Sequence, residues 1–367
     1  MISKRLLSLV RCADCRATLS PPRELPGGVV ARPSVRLICD GCGRLFESPE
    51  DYLDIRPLET FVEQTKYLDE ALHVDARHER VSPPLLGSRI RNDMLRDFLA
   101  PSAGELVVDL GCGSGRALLW NRDTGAALVG IDIAAFFSRD ARQQVDLMLG
   151  DLRTLPFADG TFDKAWSLDV LEHLSPDALA GMLAEASRVL KPGGSLFVYT
   201  HVRKNAPIAA GLKWINRLAG QLERWDLIDL RQERLRKSDH LNPLRDIPHL
   251  EQVVDAAGFR IGRIRFYTPI VGGFVENIMM RMAERAMARR AAARAVAETR
   301  SNRVEGKAPA EADAAAVREA RTAAKERISH GGPTYLALRG LSFAMKLDLL
   351  LFGHITSGPF FALLVKK

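Results

Sequence analysis

Between residues 105 and 268, short apolar runs alternate with segments of helical periodicity. The runs lie at residues 105–110, 127–131, 145–148, 164–168 and 195–200, and a sixth predicted strand at 260–267 mixes apolar residues with arginines. Runs of this length, bounded by turn residues, are typical of buried strands. Strands that alternate with helices predict an α/β domain built on a mostly parallel sheet.

The last ten residues, 358–367, form one more apolar run of strand length. The run does not alternate with polar positions, which is typical of a strand covered on both faces. About 90 residues separate it from the run at 260–267. Two segments in that interval, residues 274–296 and 335–352, have apolar faces at helical spacing, and the first also carries several arginines. We expect two helices there, separated by a mobile or loosely helical Ala/Glu/Arg-rich stretch at about 297–332.

Four cysteines near the start form two C-x2-C pairs, Cys12 with Cys15 and Cys39 with Cys42. Each pair makes a tight turn that aims two thiolates at one ion, and two such turns complete a tetrahedral zinc site. Short strand-like runs flank the second pair, while the Pro- and Gly-rich stretch between the pairs cannot build a core. Zinc would therefore supply the folding energy of a small ribbon. A redox or disulfide pair is the alternative.

Overall composition places the chain among globular proteins. Of its 367 residues, 47% are apolar and 26% are charged, which excludes a disordered or fibrous chain. No run of about 18 uninterrupted apolar residues predicts a membrane-spanning helix, and the first ten residues do not resemble a signal peptide. Five cysteines do not suit a disulfide framework, so a reducing, cytoplasmic location is expected.

The net charge of +7 is unevenly distributed. Residues 57–202 carry 14 Lys and Arg against 21 Asp and Glu, whereas residues 203–245 carry 10 against 5 and residues 269–345 carry 13 against 8. Two basic segments therefore accompany an acidic centre. Such segments often face polyanions, either phosphate backbones or anionic lipid head groups. Solvated helix faces are the simpler alternative.

A glycine-rich turn follows the first predicted strand. Asp109-Leu110 leads into Gly111-Cys112-Gly113-Ser114-Gly115, and a helix is expected from about Arg116. Such a turn between a strand and a helix lets the backbone approach a ligand closely. The next strand ends at Asp132, where a carboxylate can accept hydrogen bonds from a ribose diol. A nucleotide-like cofactor is implied.

Later segments make the pattern more specific. Gly150-Asp151-Leu152 follows the third strand, residues 169–174 open a helix after the fourth, and Lys191-Pro192-Gly193-Gly194 precedes the fifth. Across residues 89–268 this succession resembles the class I S-adenosylmethionine-dependent methyltransferases. A dinucleotide dehydrogenase is the nearest rival, but its turn prefers G-x-G-x-x-G, and here the third glycine comes one residue early.

The resemblance implies both a fold and a cofactor site. The fold is Rossmann-like, with a seven-stranded methyltransferase sheet whose last strand lies antiparallel, plus the small N-terminal zinc ribbon. Asp109 and the three glycines would cradle the methionine part of S-adenosylmethionine, Asp132 with Ile133 would hold the ribose, and Asp151 with Leu152 would border the adenine. Ser167 and Leu168 would face the methionine amino group through their backbone. The cofactor-binding set is Asp109, Gly111, Gly113, Gly115, Asp132, Ile133, Asp151, Leu152, Ser167 and Leu168.

Methyl transfer from a sulfonium is an in-line displacement, so the protein mainly aligns the acceptor. A base is needed only if the acceptor must lose a proton. Four candidates lie near the carboxyl ends of the predicted strands: Asp169, His173, His201 and His240. The fourth strand is not followed by an Asn/Asp-Pro-Pro-aromatic turn, which argues against methylation of exocyclic base amines.

These patterns predict five parts of the chain. They are a zinc ribbon at 1–56, a linker or helical segment at 57–88, the methyltransferase core at 89–268 with a substrate lid at 203–245, a basic helical insertion at 269–357, and the last core strand at 358–367.

Ligands of open α/β sheets bind outside the carboxyl ends of the parallel strands. Both basic segments leave from that edge, so we expect them to surround the entrance for the methyl acceptor.

Three functions are consistent with this organisation. The favoured hypothesis is a methyltransferase whose basic amphipathic helices dock on an anionic membrane surface, where it meets a hydrophobic or lipid-linked acceptor. It would be cytoplasmic and peripheral on the inner face of the cell membrane. The alternative is an RNA methyltransferase, because a zinc ribbon before such a domain is similar to bacterial rRNA guanine-N1 methyltransferases. Those enzymes often use a histidine ligand, whereas this chain has four cysteines. A non-enzymatic adaptor is the third reading, which the intact cofactor turn disfavours.

Overall fold

The computed structural model describes residues 2–22, 34–58, 81–202, 209–225, 227–228, 240–267, 271–279, 281–282, 285–286, 289 and 332–367. Most of the predicted linker, part of the predicted lid and the middle of the predicted insertion lie outside these ranges. The expectation of a mobile stretch at 297–332 falls almost entirely on residues that are not described. Among the described helices, none combines the length and the apolar character needed to cross a bilayer.

The N-terminal residues form a small antiparallel sheet after one short helix. Helix α1 spans Lys4–Leu9, and strands β1 (Leu19–Ser20), β2 (Ser34–Cys39) and β3 (Leu45–Pro49) pair in that order. The strand-like runs around the second cysteine pair are thus β2 and β3. Beyond Pro49 the chain enters β4 (Leu53–Asp54), which pairs in parallel with a strand of the large sheet.

The large sheet contains the predicted strands in the predicted arrangement. Its members after β4 are β5 (Leu106–Leu110), β6 (Ala127–Asp132), β7 (Asp146–Leu149), β8 (Phe162–Leu168), β9 (Leu190–His201), β10 (Phe259–Phe266) and β11 (Pro359–Lys366). Their spatial order is β10-β11-β9-β8-β5-β6-β7-β4. Only β11 runs antiparallel to its neighbours, β9 and β10. The α/β fold with an antiparallel last strand is confirmed, and β4 adds an eighth strand that the sequence pattern did not indicate.

Helices cover both faces of this sheet. They are α2 (Gly87–Leu99), α3 (Arg116–Trp120), α4 (Arg139–Gln144), α5 (Pro176–Val189), α6 (Ala209–Arg224), α7 (Ile247–Ala256), α8 (Val271–Phe274) and α9 (Pro333–Phe352). Local sequence explains several starts: Ser138, Ser175 and Asp246 each accept a backbone N–H of the first turn of α4, α5 and α7. The helix expected to open at residues 169–174 begins instead at Pro176, after a short 3-10 turn at Leu171–His173.

The last strand lies next to one edge of the sheet. Strand β11 lies between β9 and β10, with Phe361 opposite Tyr199 on one side and Arg265 on the other. Phe360 and Phe361 are completely buried. The strand therefore joins β10 to the rest of the sheet.

Helix α9 lies against the domain along one side only. Ser342 Oγ accepts the Leu86 backbone N–H at 2.9 Å, and Lys346 pairs with Asp93 on α2 at 3.0 Å. Met345 and Leu349 are buried in the same apolar cluster as Tyr199 and Phe361. The opposite side of the helix stays exposed, including Phe343, Leu347, Leu350 and Leu351.

Candidate functional site

The glycine-rich turn after β5 adopts a conformation that its glycines allow. Gly111, Gly113 and Gly115 have φ values of 82°, 53° and 77°, a region that glycine occupies without steric cost. A Cβ on Gly111 would lie 2.5 Å from Val170, and one on Gly115 would lie 2.6 Å from Ala141. Gly113 faces open space, with no atom within 4 Å of its ideal Cβ position. The turn thus packs tightly at both ends and leaves room for a ligand in the middle.

Asp132 ends the neighbouring strand β6 beside this turn. Its carboxylate accepts the Gly113 N–H at 2.8 Å and the Ala134 N–H at 3.1 Å. The side chain is buried, and burial raises the pKa of Asp132 even though these backbone donors oppose the rise. Each carboxylate oxygen has a second lone pair, so the group can still accept hydrogen bonds from the two hydroxyls of a ribose.

Asp109 lies under the turn in a fully buried position. Burial raises the pKa of its carboxyl to about 8, and the charge of Asp132 adds to the rise, while the indole of Trp166 opposes it. The carboxyl is therefore largely protonated at neutral pH until a cation approaches. The methionine ammonium and the sulfonium of S-adenosylmethionine would be such cations, so the environment of Asp109 fits that part of the cofactor.

The remaining predicted cofactor residues gather at the same strand ends. Asp151, just after β7, is buried, and its carboxylate accepts the backbone N–H and guanidinium of Arg153. Ser167 on β8 donates its hydroxyl to the Leu110 carbonyl at 2.8 Å, which ties β8 to β5. Ile133, Leu152 and Leu168 are partly exposed at this edge. A bound S-adenosylmethionine is compatible with the turn, its open space and these carboxylates.

On the other side of β8, the structure brings three histidines around one glutamate. Glu172 is 1% exposed; its Oε2 accepts the Thr200 hydroxyl at 2.8 Å, and its Oε1 lies 3.4 Å from His201 Nδ1. The rings of His173 and His240 meet edge to face with centroids 4.6 Å apart, and those of His201 and His240 lie 6.2 Å apart. Three of the four predicted catalytic residues are thus close neighbours.

The Glu172 carboxylate is ionised at neutral pH despite its burial. Burial by itself would raise its pKa, but the nearby His201 imidazole and the Thr200 hydroxyl lower the pKa of Glu172 below its usual value. The Asn242 backbone N–H donates to the Glu172 carbonyl at 2.9 Å. That hydrogen bond holds the segment containing His240 against the turn that contains Glu172 and His173.

Asp169, the fourth predicted catalytic residue, stands between this cluster and α2. Its φ of 56° is uncommon for a residue with a side chain, and such backbone often marks functional sites. Arg91 Nε lies 3.7 Å from its carboxylate, and 46% of the Asp169 side chain is exposed. Enclosure in the crevice raises the pKa of Asp169 while Arg91 opposes the rise. The side chain therefore lines a recess that is open to solvent.

Sequence reasoning missed three residues of this region. The sequence shows Glu172 as an acidic residue within an apolar run after β8. It does not show that the side chain is buried or what it contacts. Arg91 and Tyr199 carried no signal, because their role depends on how α2 packs on β9. The Arg91 guanidinium lies 5.2 Å from the centre of the Tyr199 ring, a cation–π contact that helps to hold this wall of the crevice.

The four N-terminal cysteines converge as their spacing predicts. Their sulfurs all lie within 4.8 Å of one another, with Cys12 to Cys42 at 3.7 Å and Cys15 to Cys39 at 3.3 Å. Sulfurs of a tetrahedral zinc site are about 3.8 Å apart, given a Zn–S bond of about 2.3 Å. The Gly41 and Cys42 N–H groups both point at Cys39 Sγ from 3.4 Å. Burial would raise the pKa of Cys39, but these donors and Cys15 lower it to about 6. The donor set fits zinc.

The two predicted basic segments pack against each other beside the crevice. Ala219 and Leu222 of α6 contact Ile278, which follows α8. A Cβ on Gly272 of α8 would lie 3.4 Å from the Tyr267 hydroxyl, and the Tyr267 ring meets Tyr199 with centroids 6.1 Å apart. Helix α9 contacts α8 and α2. The described parts of the two insertions thus pack as one unit beside α2, the helix that carries Arg91.

The surface of these packed helices exposes many large apolar side chains. Trp214 on α6 is 71% exposed, and Phe343 and Leu350 on α9 are 70% and 76% exposed. The other exposed members are Leu218, Trp225, Leu227, Phe274, Met279, Met282, Leu336, Leu347, Leu351 and Phe352. We call this set the apolar surface. Soluble monomers rarely leave a large contiguous apolar area uncovered unless it binds something.

Comparison with known proteins identifies the central part of the chain. Residues 108–198 match a family described as "Methyltransferase domain". The chain is 33% identical over 163 residues to an uncharacterised 37.1 kDa transposon protein of Streptomyces fradiae, covering 42% of this chain and 40% of the relative. It is 29% identical over 160 residues to methyltransferase GfsG of Streptomyces halstedii, covering 39% and 57%. It is 42% identical over 104 residues to demethylmenaquinone methyltransferase of Corynebacterium kroppenstedtii, covering 28% and 44%. The chain thus spans about half the length of the relatives that it matches.

Solved structures also resemble the chain, at lower sequence identity. Phosphoethanolamine N-methyltransferase 2 of Haemonchus contortus is 17% identical with a TM-score of 0.45, covering 88% of this chain and 62% of that one. Geranyl diphosphate C-methyltransferase of Streptomyces coelicolor A3(2) is 14% identical with a TM-score of 0.42, covering 83% and 99%. Similarities of this size do not identify an acceptor.

Proposed function

Since the central domain of this chain is a class I S-adenosylmethionine-dependent methyltransferase domain, we propose that the whole protein transfers a methyl group from S-adenosylmethionine to a hydrophobic or lipid-linked acceptor at a membrane surface. The observation that carries the acceptor class is the apolar surface, whose helices lie beside the crevice: α8 contacts both α6 and α9, and α9 contacts α2, the helix that carries Arg91. An acceptor that arrives along that surface would reach the recess lined by Asp169.

The cofactor supplies an activated methyl group, and the protein supplies binding and alignment. Asp109, the glycine turn and Asp132 would hold the methionine and ribose parts, while Asp151 borders the adenine. Holding the reacting atoms about 3–3.5 Å apart in line can lower the barrier by about 7–11 kcal/mol. Asp169, His173, His201 and His240 are proposed to contact the acceptor and to accept a proton where it must lose one.

The cysteine cluster is proposed to hold one structural zinc ion. Four thiolates leave no open position on the metal, so the ion would do no chemistry. It would instead fold the ribbon and secure the edge strand β4 against β7. Cys12, Cys15, Cys39 and Cys42 would all be ligands.

Charge supports an anionic membrane as the docking surface. The segments that build the apolar surface carry the excess of Lys and Arg, 10 against 5 at 203–245 and 13 against 8 at 269–345. Each basic residue near an anionic bilayer contributes on the order of 1 kcal/mol. Together with an apolar face, several such residues give stable but reversible binding.

Vesicle sedimentation tests this proposal. Wild-type protein should sediment with vesicles that contain anionic lipid and much less with neutral ones. The triple change Leu347→Ser, Leu350→Ser and Leu351→Ser should abolish sedimentation, because these side chains are exposed on α9. Leu58→Ser changes an exposed leucine outside the apolar surface and should leave sedimentation unchanged. Affinity for S-adenosylmethionine, measured by calorimetry, should be the same in all variants.

An RNA acceptor is the competing outcome. Arginines would also attract RNA, with a steep dependence on salt, but exposed leucines on α9 would contribute little to it. If wild-type protein does not sediment with anionic vesicles but protects a defined RNA segment from nuclease, the membrane proposal is wrong. The RNA methyltransferase hypothesis then replaces it.

A further inference from the structure

The cluster around Glu172 has the composition of a metal site. The ligand atoms of Glu172, His173 and His240 all lie within 4.8 Å of one another. Two imidazole nitrogens and one carboxylate oxygen form the donor set that divalent first-row transition ions such as zinc, iron and cobalt accept. From these side chains we infer that the chain has a second metal site, distinct from the cysteine cluster, which binds one divalent transition-metal ion on the acceptor side of the crevice.

Modest side-chain movements would bring the three ligands onto one ion. With metal–ligand bonds of about 2.0–2.2 Å, neighbouring ligand atoms of a tetrahedral ion are about 3.4 Å apart. Here the three ligand atoms lie within 4.8 Å of one another, so each pair has to close by at most about 1.4 Å. The rings of His173 and His240 are only partly buried, so rotation about their side-chain bonds can supply that movement.

Glu172 already has the supporting contacts that metal-binding carboxylates typically have. Ligating carboxylates are usually hydrogen-bonded in turn, which fixes their orientation. Here the Thr200 hydroxyl donates to Oε2 at 2.8 Å. The Asn242 N–H donates to the Glu172 carbonyl at 2.9 Å, which holds the backbone next to His240 in place.

A cation would also offset the local negative charge. Glu172 is buried, and Asp169 lies close enough for the two carboxylates to repel each other. The described groups that face this pair are Arg91 from α2, His201 from β9, His173 from the 3-10 turn and His240. Arg91 lies 3.7 Å from the Asp169 carboxylate, so a metal ion at Glu172 would add positive charge beside the second, buried carboxylate.

Three protein ligands leave at least one position open on the ion. That is the arrangement of catalytic metal sites, which keep a place for water or substrate. An oxygen of the methyl acceptor is the ligand that such a position suits. With His173 and His240 on the ion, Asp169 and His201 remain to accept a proton from it. This last step rests on the proposed function, whereas the metal site itself depends only on the three side chains.

Calorimetric titration with Co²⁺ tests the inference. The sample is the full-length protein carrying one zinc ion per chain, in the cysteine cluster. The wild type should bind one Co²⁺ per chain without releasing zinc from the cysteine cluster, as checked by metal analysis after gel filtration. His240→Ala and His173→Ala should each weaken Co²⁺ binding at least 10-fold, and Glu172→Gln should weaken it similarly because the amide carries no charge. His249→Ala is the matched control: His249 lies on α7 and contacts the Arg245 N–H instead, so binding should not change.

Two results would overturn the second site. One is a wild-type protein that binds no Co²⁺ while its cysteine cluster holds zinc. The other is Co²⁺ binding that survives unchanged in both histidine variants. Binding of S-adenosylmethionine, measured on the same samples, separates this test from the methyltransferase proposal. A protein that binds Co²⁺ through Glu172, His173 and His240 but does not bind S-adenosylmethionine would support the metal site and contradict the methyltransferase function.

Discussion

Asp132 is already engaged with the backbone before any cofactor arrives. Its carboxylate accepts the N–H groups of Gly113 and Ala134, so it both shapes the turn and offers its remaining lone pairs to a ribose. A buried carboxylate in this double role cannot be replaced by an amide, because the amide NH2 would face a backbone donor.

We therefore expect Asp132→Asn to weaken S-adenosylmethionine binding by about 10-fold to 100-fold. Hydrogen bonds to a charged group contribute about 1.5–3 kcal/mol, and a factor of ten corresponds to about 1.4 kcal/mol. Calorimetry measures the affinity. Asp177→Asn, an exposed aspartate on α5, serves as the control and should bind normally. Unchanged affinity in Asp132→Asn would argue against the cofactor site described here.

Asp109 predicts a pH dependence of cofactor binding. Its pKa of about 8 means that the carboxyl is protonated below that pH in the free protein. A cationic cofactor favours the ionised form, so the contribution of Asp109 to S-adenosylmethionine affinity should rise as pH increases from 6 to about 8 and then level off. Binding below pH 8 should release a proton, which calorimetry in buffers of different ionisation enthalpy detects.

Asp109→Asn is the control for this pH dependence. The cofactor's own amino group titrates in the same range, and the variant retains that contribution while losing the one from the protein. The difference between the two pH profiles therefore reports Asp109. Identical profiles for wild type and Asp109→Asn would contradict the role assigned to this carboxyl.

Strand β4 connects the cysteine cluster to the large sheet. It pairs in parallel with β7, and Leu53 and Ile55 are completely buried. Ser3 donates its hydroxyl to Asp146 at 2.6 Å, and the Arg11 N–H reaches the Pro156 carbonyl at 2.9 Å. The N-terminal module thus covers one edge of the sheet and is not an independent appendage.

Removing zinc should consequently destabilise the whole described domain. We expect a strong chelator, or Cys39→Ser, to lower the melting temperature of the main calorimetric transition by at least about 5 °C, since for a domain of this size each kcal/mol lost corresponds to about 2–4 °C. Adding zinc back should restore the transition in the wild type but not in Cys39→Ser. A main transition unaffected by chelation would mean that the sheet folds without the module.

Taken over the entire fold, stability should depend strongly on the C-terminal strand. Phe361 on β11 is fully buried and stacks on Tyr199 with ring centroids 4.8 Å apart. Phe361→Ala should therefore lower the free energy of unfolding by about 3–5 kcal/mol. Phe343→Ala removes the same side chain from an exposed site on α9, so its effect should stay within about 0.5 kcal/mol. Urea denaturation of both variants measures the difference, and equal losses would contradict the burial described here.

Local sequence patterns were sufficient to predict the strands of the sheet and the glycine-rich turn of the cofactor site. Apolar runs of strand length mark β5 to β9 and β11 to within about five residues, because a strand covered on both faces must be apolar nearly throughout. The glycines of the turn were identifiable because positive φ angles and close backbone approach leave few other residues possible. The convergence of Cys12, Cys15, Cys39 and Cys42 was predictable because each short C-x2-C turn positions its own pair of thiols.

Contacts between distant segments could be known only from the packed molecule. The pairing of β4 with β7 involves two residues, too few to leave a pattern. Nothing in the sequence indicates that His240 lies close to Glu172. The two segments are held together by the hydrogen bond from the Asn242 backbone N–H to the Glu172 carbonyl. Helix α9 is apolar on several sides, so periodicity could not tell its buried Met345 from its exposed Leu350. Local propensity acts within a few residues of the chain, whereas these relations depend on which surfaces the sheet and its helices leave available for packing.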